Sequence, residues 1–363
     1  MVNDTEFNFS SPVRVDISII ILCYKRENFI LDAVSSVQKS QSDQFKAEIV
    51  VVKSFHNASI EKKLSELNVK VVHDDSAIIG MRFNEALRIS QGEIIFLLDD
   101  DDIFFPGKIQ THMKLYNKYN KIDYIANGYD TIGPDGNKVK ANIRKRTRIL
   151  RSLQGDELIF ERGSNLCDII YAVKALDMGF NSSRVSFRRS SIMPYLEYLR
   201  NIEINLDTGL FFIAFYFFRG ILDIKDVLTG YRIHSQNISA RDQKNDLKYG
   251  KLDGIIRYAK ITETFYRYSR LDLHEKINDL KFKYYCLSTE NTASLFLSLV
   301  KQETLKAIAE NLARLIIYSI KCRAIRFFYR TILLSIFISL VGLTSPGLLR
   351  KITVKLGVVP NLA

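Results

Sequence analysis

Four consecutive aspartates, Asp99, Asp100, Asp101 and Asp102, follow the apolar run Glu93-Ile94-Ile95-Phe96-Leu97-Leu98 and are the densest chemistry in the chain. Carboxylates this close repel one another and are costly together unless positive charge offsets them. A divalent cation is the economical partner. Mg2+ and Mn2+ prefer oxygen donors, and Mg2+ is typically held by one or two carboxylates plus the phosphates of a substrate. The simpler alternatives are a solvated acidic turn or a cap for the helix that Ile109, Met113 and Tyr116 predict after Pro106. A helix needs one such cap, which leaves three aspartates unexplained.

The elements that must position these carboxylates are legible from pattern. The run before them, entered through Gly92, reads as a strand buried on both faces, so the aspartates sit at its C-terminal end. In open α/β sheets that edge is where ligands bind. Strands are expected at Ile17 to Leu22, Glu48 to Val52 and Val69 to Val72. Helices are expected through Ile30, Val34 and Val37, around Leu64 and Leu67, and over Arg82 to Ile89. This βαβαβαβ order predicts a parallel sheet with right-handed crossovers. Beyond Tyr119 the pattern loosens. Asp135-Gly136 marks a hairpin, Gly163 to Tyr171 reads as a strand returning to the sheet, and Leu196 to Phe218 reads as a helix.

At 363 residues, 47% hydrophobic and 25% charged, the chain is a foldable globular protein. Cys23, Cys167, Cys286 and Cys322 lack metal or disulfide spacing, which suits a reducing compartment, and the polar stretch from Met1 to Pro12 does not read as a secretory signal. Of the net charge of +12, +8 falls in residues 311–363, which contain no acid; a second basic stretch runs from Lys138 to Arg151. Residues 244–330 read almost wholly as helix. Ala313, Ile316, Ile317, Ile320, Ala324 and Phe327 form one face of it, with Arg323, Arg326 and Arg330 on another. Such a helix suits a membrane interface. The uncharged span Thr331 to Leu349 that follows has three readings: interfacial or re-entrant insertion, a short membrane span, or a core hairpin. Basic residues flanking an apolar segment favour lipid, and no nucleic-acid partner is expected.

Three motifs, taken in order, then carry a resemblance. Ile17 to Arg26 resembles the first strand and following loop of the family 2 inverting glycosyltransferases of the GT-A fold. Gly80 to Leu87 resembles the family's glycine-to-asparagine stretch, and Phe96 to Asp102 with Pro106 resembles the segment around its DxD motif. The resemblance covers about the first 240 residues. It implies an α/β GT-A (nucleotide-diphospho-sugar transferase) domain over 1–240, and the helical and basic patterns beyond it give a mostly helical C-terminal extension over 241–310 and a basic membrane-associating tail over 311–363.

Carried over residue by residue, it implies that Asp99 and Asp101 are the DxD pair, with Asp99 facing the nucleotide ribose and Asp101 on the metal. Asp102 would support the metal, and Asp100 stands where the family is permissive, on the donor side. Tyr24, Arg26 and Asn84 would contact the nucleotide sugar. Asp207, in Asn205 to Phe212, matches the family's base, with Glu203 in reserve; the bland reading is that Asp207 caps the next helix. In Leu228 to Ser239, Arg232 would position the diphosphate and His234 would reach the metal or the diphosphate. One departure is plain: Lys53-Ser54 stands where the family has an aspartate near the nucleotide base.

The expected protein is therefore an Mg2+- or Mn2+-dependent inverting glycosyltransferase using a nucleotide-diphosphate sugar. A glycan or polyprenyl-lipid acceptor at the cytoplasmic face of the cell membrane is expected from the tail. The competing readings are a catalytically inactive membrane-associated scaffold and a sugar-phosphate nucleotidyltransferase. The latter should have a glycine-rich loop after the first strand, where Cys23 to Asn28 contains no glycine.

Overall fold

The computed structural model describes residues 15–139 except 42, 155–162, 178–237 except 204 and 236, 287–288, 291–292, 294 and 305–321. The first half alternates as expected: β1 (Ile17–Cys23), α1 (Ile30–Ser40), β2 (Ala47–Lys53), α2 (Ala58–Glu66), β3 (Lys70–His73), α3 (Ile79–Ile89) and β4 (Ile94–Asp99). These four strands run parallel in the order β3-β2-β1-β4. The order reverses between β1 and β4, which makes their C-terminal ends the topological switch point of the sheet.

The second half adds β5 (Ile103–Phe104), α4 (Lys108–Lys118), β6 (Tyr124–Ile132), β7 (Glu157–Glu161), β8 (Val185–Arg188), α5 (Arg189–Ile192), α6 (Leu196–Arg200), α7 (Leu206–Phe217), β9 (Gly220–Arg232) and α8 (Leu305–Lys321). Strand β8 is antiparallel to β4 and β6, and β9 runs parallel to β6, so the sheet becomes mixed. Side chains alternate across it. Ile95 and Leu97 of β4 enter one core with residues of α3, α6 and α7, while Ile94, Phe96 and Leu98 enter the other with residues of α1, α2 and α4. Burial on both faces is why the run reads as continuously apolar. Gly92 is required where the chain enters β4, because a Cβ there would lie 2.3 Å from the Ser18 nitrogen.

The helix expected over Leu196 to Phe218 is instead two helices, broken at residues 201–205 with Asn205 left-handed at φ 55°. The break has a use: the Ile202 and Glu203 carbonyls accept the Gly80 and Ile79 N–H groups, serving the N-terminus of α3, where no side chain caps the helix. Gly80 is needed for this approach, since a Cβ would lie 1.8 Å from the Leu199 carbonyl oxygen. Helix α4 starts at Lys108, two residues after Pro106, with left-handed Gly107 at its N-cap and no side-chain cap, so none of the four aspartates caps it. The Asp135-Gly136 hairpin is present: Gly133 donates to the Asn137 carbonyl and Val139 to that of Thr131.

The strand expected at Gly163 to Tyr171, most of the basic stretch from Lys138 to Arg151, nearly all of 241–304 and the span Thr331 to Leu349 lie outside the described residues. Helix α8 runs unbroken across the boundary expected at 310/311, and its Leu315 is buried in the α3, α6, α7 core. Among the described residues no helix is long and apolar enough to cross a membrane.

Candidate functional site

Strand β4 ends at Asp99, and the turn after it folds the next three aspartates back under the sheet edge, with the Asp102 N–H donating to the Asp99 carbonyl. Carboxylate oxygens of Asp99, Asp101 and Asp102 all lie within 4.8 Å of one another. Burial is the main force pushing Asp99 up to about 7, and repulsion from Asp101 adds to it; Asp102 is driven well above its ordinary range for the same reasons. Three crowded oxygen donors, two of them, Asp99 and Asp102, with penalised charged forms, fit a hard divalent cation such as Mg2+ or Mn2+.

Asp100 turns away from this group. Arg26 clasps it, with Nε donating to Oδ2 at 3.1 Å and Nη2 to Oδ1, while Nη1 reaches Asp101 Oδ2 at 2.9 Å. The Cys23 thiol also donates to Asp100 Oδ2, at 3.0 Å. Arg26 thus ties the loop after β1 to the acidic turn. The Tyr24 ring stands 4.5 Å from the Arg82 guanidinium.

Arg82 is the residue that sequence reasoning passed over. It is 4% exposed, its Nε and Nη1 have no hydrogen-bond partner, and burial lowers its pKa against the pull of Asp74 and Asp100. The expected Asn84 sits two residues further along α3, on a different face, and donates to the Gly80 and Leu196 carbonyls at 3.0 and 3.2 Å. It joins α3 to α6. The family resemblance of Gly80 to Leu87 singled out Asn84, and helical spacing could have separated it from Arg82.

Arg232 and His234 meet the cluster from β9 and the loop after it. The Arg232 N–H donates to Asp102 Oδ1 at 2.9 Å, and its buried guanidinium donates to the Asp101 carbonyl at 2.7 Å and to that of Pro134 at 2.7 Å. Its geometry is that of a brace for the turn. His234 Nε2 lies 2.9 Å from Asp101 Oδ2, within hydrogen-bond distance. His234 therefore stands behind Asp101, outside the three-carboxylate group.

A second support was not foreseen. The segment Asn181-Ser182-Ser183, which opens on a left-handed Asn181 at φ 66°, touches three carboxylates. Asn181 Nδ2 donates to Asp102 at 2.8 Å, and Ser182 Oγ donates to Asp99 at 2.5 Å. Ser183 Oγ accepts the Asp99 N–H at 2.9 Å and donates to Asp102 at 2.7 Å. The Asn181 N–H donates to Asp207 Oδ2 at 2.6 Å. Fully buried Lys108 holds the turn from below, donating to the Ser183 carbonyl and to Thr229 Oγ1.

Asp207 is the second residue of α7, behind Asn205 at the N-cap, and its Oδ1 accepts the next N–H, that of Thr208, at 2.8 Å. It serves its helix with one oxygen and faces the Asn181 turn with the other. Glu203 lies in the break before α7 and is exposed. At the end of β2, Lys53 is buried and its ammonium donates to Glu61 at 2.6 Å and to the Phe55 carbonyl.

Residues 18–173 match the Glycosyl transferase family 2 domain. An uncharacterized glycosyltransferase of Rickettsia felis is 26% identical over 140 residues, covering 38% of this chain and 23% of the relative. One of Rickettsia conorii is 28% identical over 127 residues, covering 34% and 21%. The matched region thus spans less than a quarter of these curated relatives. Among solved structures, S. aureus TarS superposes with a TM-score of 0.52 at 14% identity, over 83% of this chain and 49% of that one. TarS 1-349 in complex with UDP-GlcNAc gives 0.50 at 15% identity, over 87% and 92%. The fold is therefore that of the GT-A glycosyltransferases, and the likeness to glycosyl transferase family 2 is confined to residues 18–173, less than half of the chain. The family match ends before Asp207, Arg232 and His234, short of the 240 residues expected.

Proposed function

We propose that this chain is a divalent-metal-dependent, inverting glycosyltransferase that moves a sugar from a nucleotide-diphosphate donor to an acceptor hydroxyl or lipid phosphate. The observation that carries the reading is the convergence of Asp99, Asp101 and Asp102 within 4.8 Å at the switch point of the sheet, with Asn181 bonded both to Asp102 and to Asp207. Asp101 and Asp102 would hold Mg2+ or Mn2+, and Asp99 would face the ribose. The ion, when bound, would offset the charge that develops on the diphosphate as the sugar leaves. Arg82, buried with two unpartnered nitrogens beside Tyr24, suits the same anionic group. Asp207 would take the acceptor's proton; its partners Asn181 and Thr208 donate N–H groups, which keep it an acceptor.

The membrane part of the reading rests on α8. It buries Leu315 and Ser319, while Ile317 and Ile320 are 48% and 56% exposed beside exposed Ala313, Arg314 and Lys321. An apolar and basic outer face suits an anionic lipid surface at the inner face of the cell membrane, where a polyprenyl-linked or glycan acceptor would be met. The test is nucleoside diphosphate release from a panel of nucleotide sugars, with UDP-GlcNAc first because a TarS complex contains it. Release in Mn2+ that stops in EDTA supports the reading; no release from any donor opposes it.

A further inference from the structure

Beside Asp207 lies an aromatic corner with no part yet assigned. Tyr129 of β6, Phe180 and Tyr231 of β9 meet pairwise, with ring centroids 5.7 Å apart for Tyr129 and Phe180, 6.0 Å for Tyr129 and Tyr231, and 5.4 Å for Phe180 and Tyr231. Phe180 directly precedes the N–H that Asp207 holds, and the Thr208 hydroxyl donates to the Gly179 carbonyl at 3.1 Å. Residues 179–181 are thereby laid along the start of α7, with Phe180 next to the carboxylate. Buried Arg184 backs the corner, its guanidinium 5.1 Å from the Tyr129 ring and Nη1 donating to the Phe180 carbonyl at 3.2 Å. Tyr231 is almost wholly buried, but Tyr129 and Phe180 each keep part of their surface exposed.

We infer that this corner is an acceptor subsite that receives the ring of a pyranose sugar. The inference rests on the glycosyl-transfer reading above and names the acceptor's chemistry as carbohydrate at the position next to the attacked bond. A pyranose has an apolar face of C–H groups and a rim of hydroxyls. Inclined aromatic rings offer the first a platform, and the Tyr129 hydroxyl and the nearby carboxylate offer the second hydrogen-bond partners. Rings held by a buried arginine and by each other lose little freedom on binding, so the contact is preorganised.

Saturation-transfer NMR on the full chain, irradiating aromatic protons, tests this with methyl α- and β-glucopyranoside and methyl N-acetyl-β-glucosaminide as probes. Ring protons of at least one glycoside should gain saturation with the wild type and with Phe180→Tyr, and the effect should fall about fivefold in Phe180→Leu. Tyr129→Leu, on a different strand, repeats the test if Phe180→Leu does not fold. No saturation with the wild type, or an equal effect in a folded leucine variant, overturns the subsite. Nucleoside diphosphate release by the wild type is measured alongside. Its absence sinks the glycosyl-transfer reading, whereas release with no glycoside contact sinks only the subsite.

Discussion

Each of the four aspartates answers to different neighbours, and their expected behaviour differs accordingly. Asp100 is neutralised by Arg26, so its loss should loosen the loop after β1. Asp101 faces Arg26 and His234 and shares the three-carboxylate group, and Asp101→Ala should cut donor turnover about a thousandfold with the fold intact. Near wild-type turnover would remove it from the metal. Asp207→Asn should leave donor binding in place and lower transfer by about a hundred- to ten-thousandfold in steady-state kinetics; unchanged transfer would reduce Asp207 to a helix residue. The lifted Asp99 has a pH signature. Between the ordinary 3.8 and about 7, the folded chain keeps a proton that the unfolded chain has lost, so metal-free stability from this group falls as pH rises through that window. A cation takes the proton's place. Mn2+ should therefore raise the melting temperature clearly at about pH 8 and much less at about pH 5, as read by thermal melts against EDTA; equal shifts at both would count against a shared site.

At the scale of elements, the site is a strand end braced from three sides: the β1 loop through Arg26, β9 through Arg232 and the Asn181-Ser183 turn. The last brace is the most exacting, since one Ser183 hydroxyl serves both Asp99 and Asp102. Ser183→Ala should weaken Mn2+ binding about ten- to a hundredfold by titration calorimetry, while the melting temperature without metal changes little. Strand β4 and its aspartates were legible because a buried parallel strand has a strong local signature. The Asn181 turn was not, because nothing local marks a short polar segment whose partners lie about eighty residues earlier and twenty-six later. The break between α6 and α7 was hidden for a similar reason. Its apolar pattern continues, and only the N–H groups of α3 explain why the chain leaves the helix.

At the scale of the molecule, the parallel half follows from βαβ alternation, whereas the turn to a mixed sheet at β8 depends on contacts far apart in sequence. The basic tail was read as a separate membrane device, yet α8 sends Leu315 into the core shared with α3, α6 and α7 and turns Ile317 and Ile320 outward. Deleting residues 311–363 would therefore damage the core as well as any docking face. The cleaner variant is Ile317→Glu with Ile320→Glu, which should lower co-sedimentation with anionic vesicles several-fold and leave the melting temperature near wild type. Binding equal to wild type would sever α8 from the membrane. The central claim is that the carboxylate cluster holds a divalent cation for a nucleoside diphosphate. Titration calorimetry of UDP, GDP, CDP, ADP and dTDP against the full chain, in Mn2+ and in EDTA, tests it most directly. One nucleotide should bind in Mn2+ and lose at least about a hundredfold in affinity in EDTA and in Asp101→Ala; binding that ignores both, or no binding at all, would contradict the account.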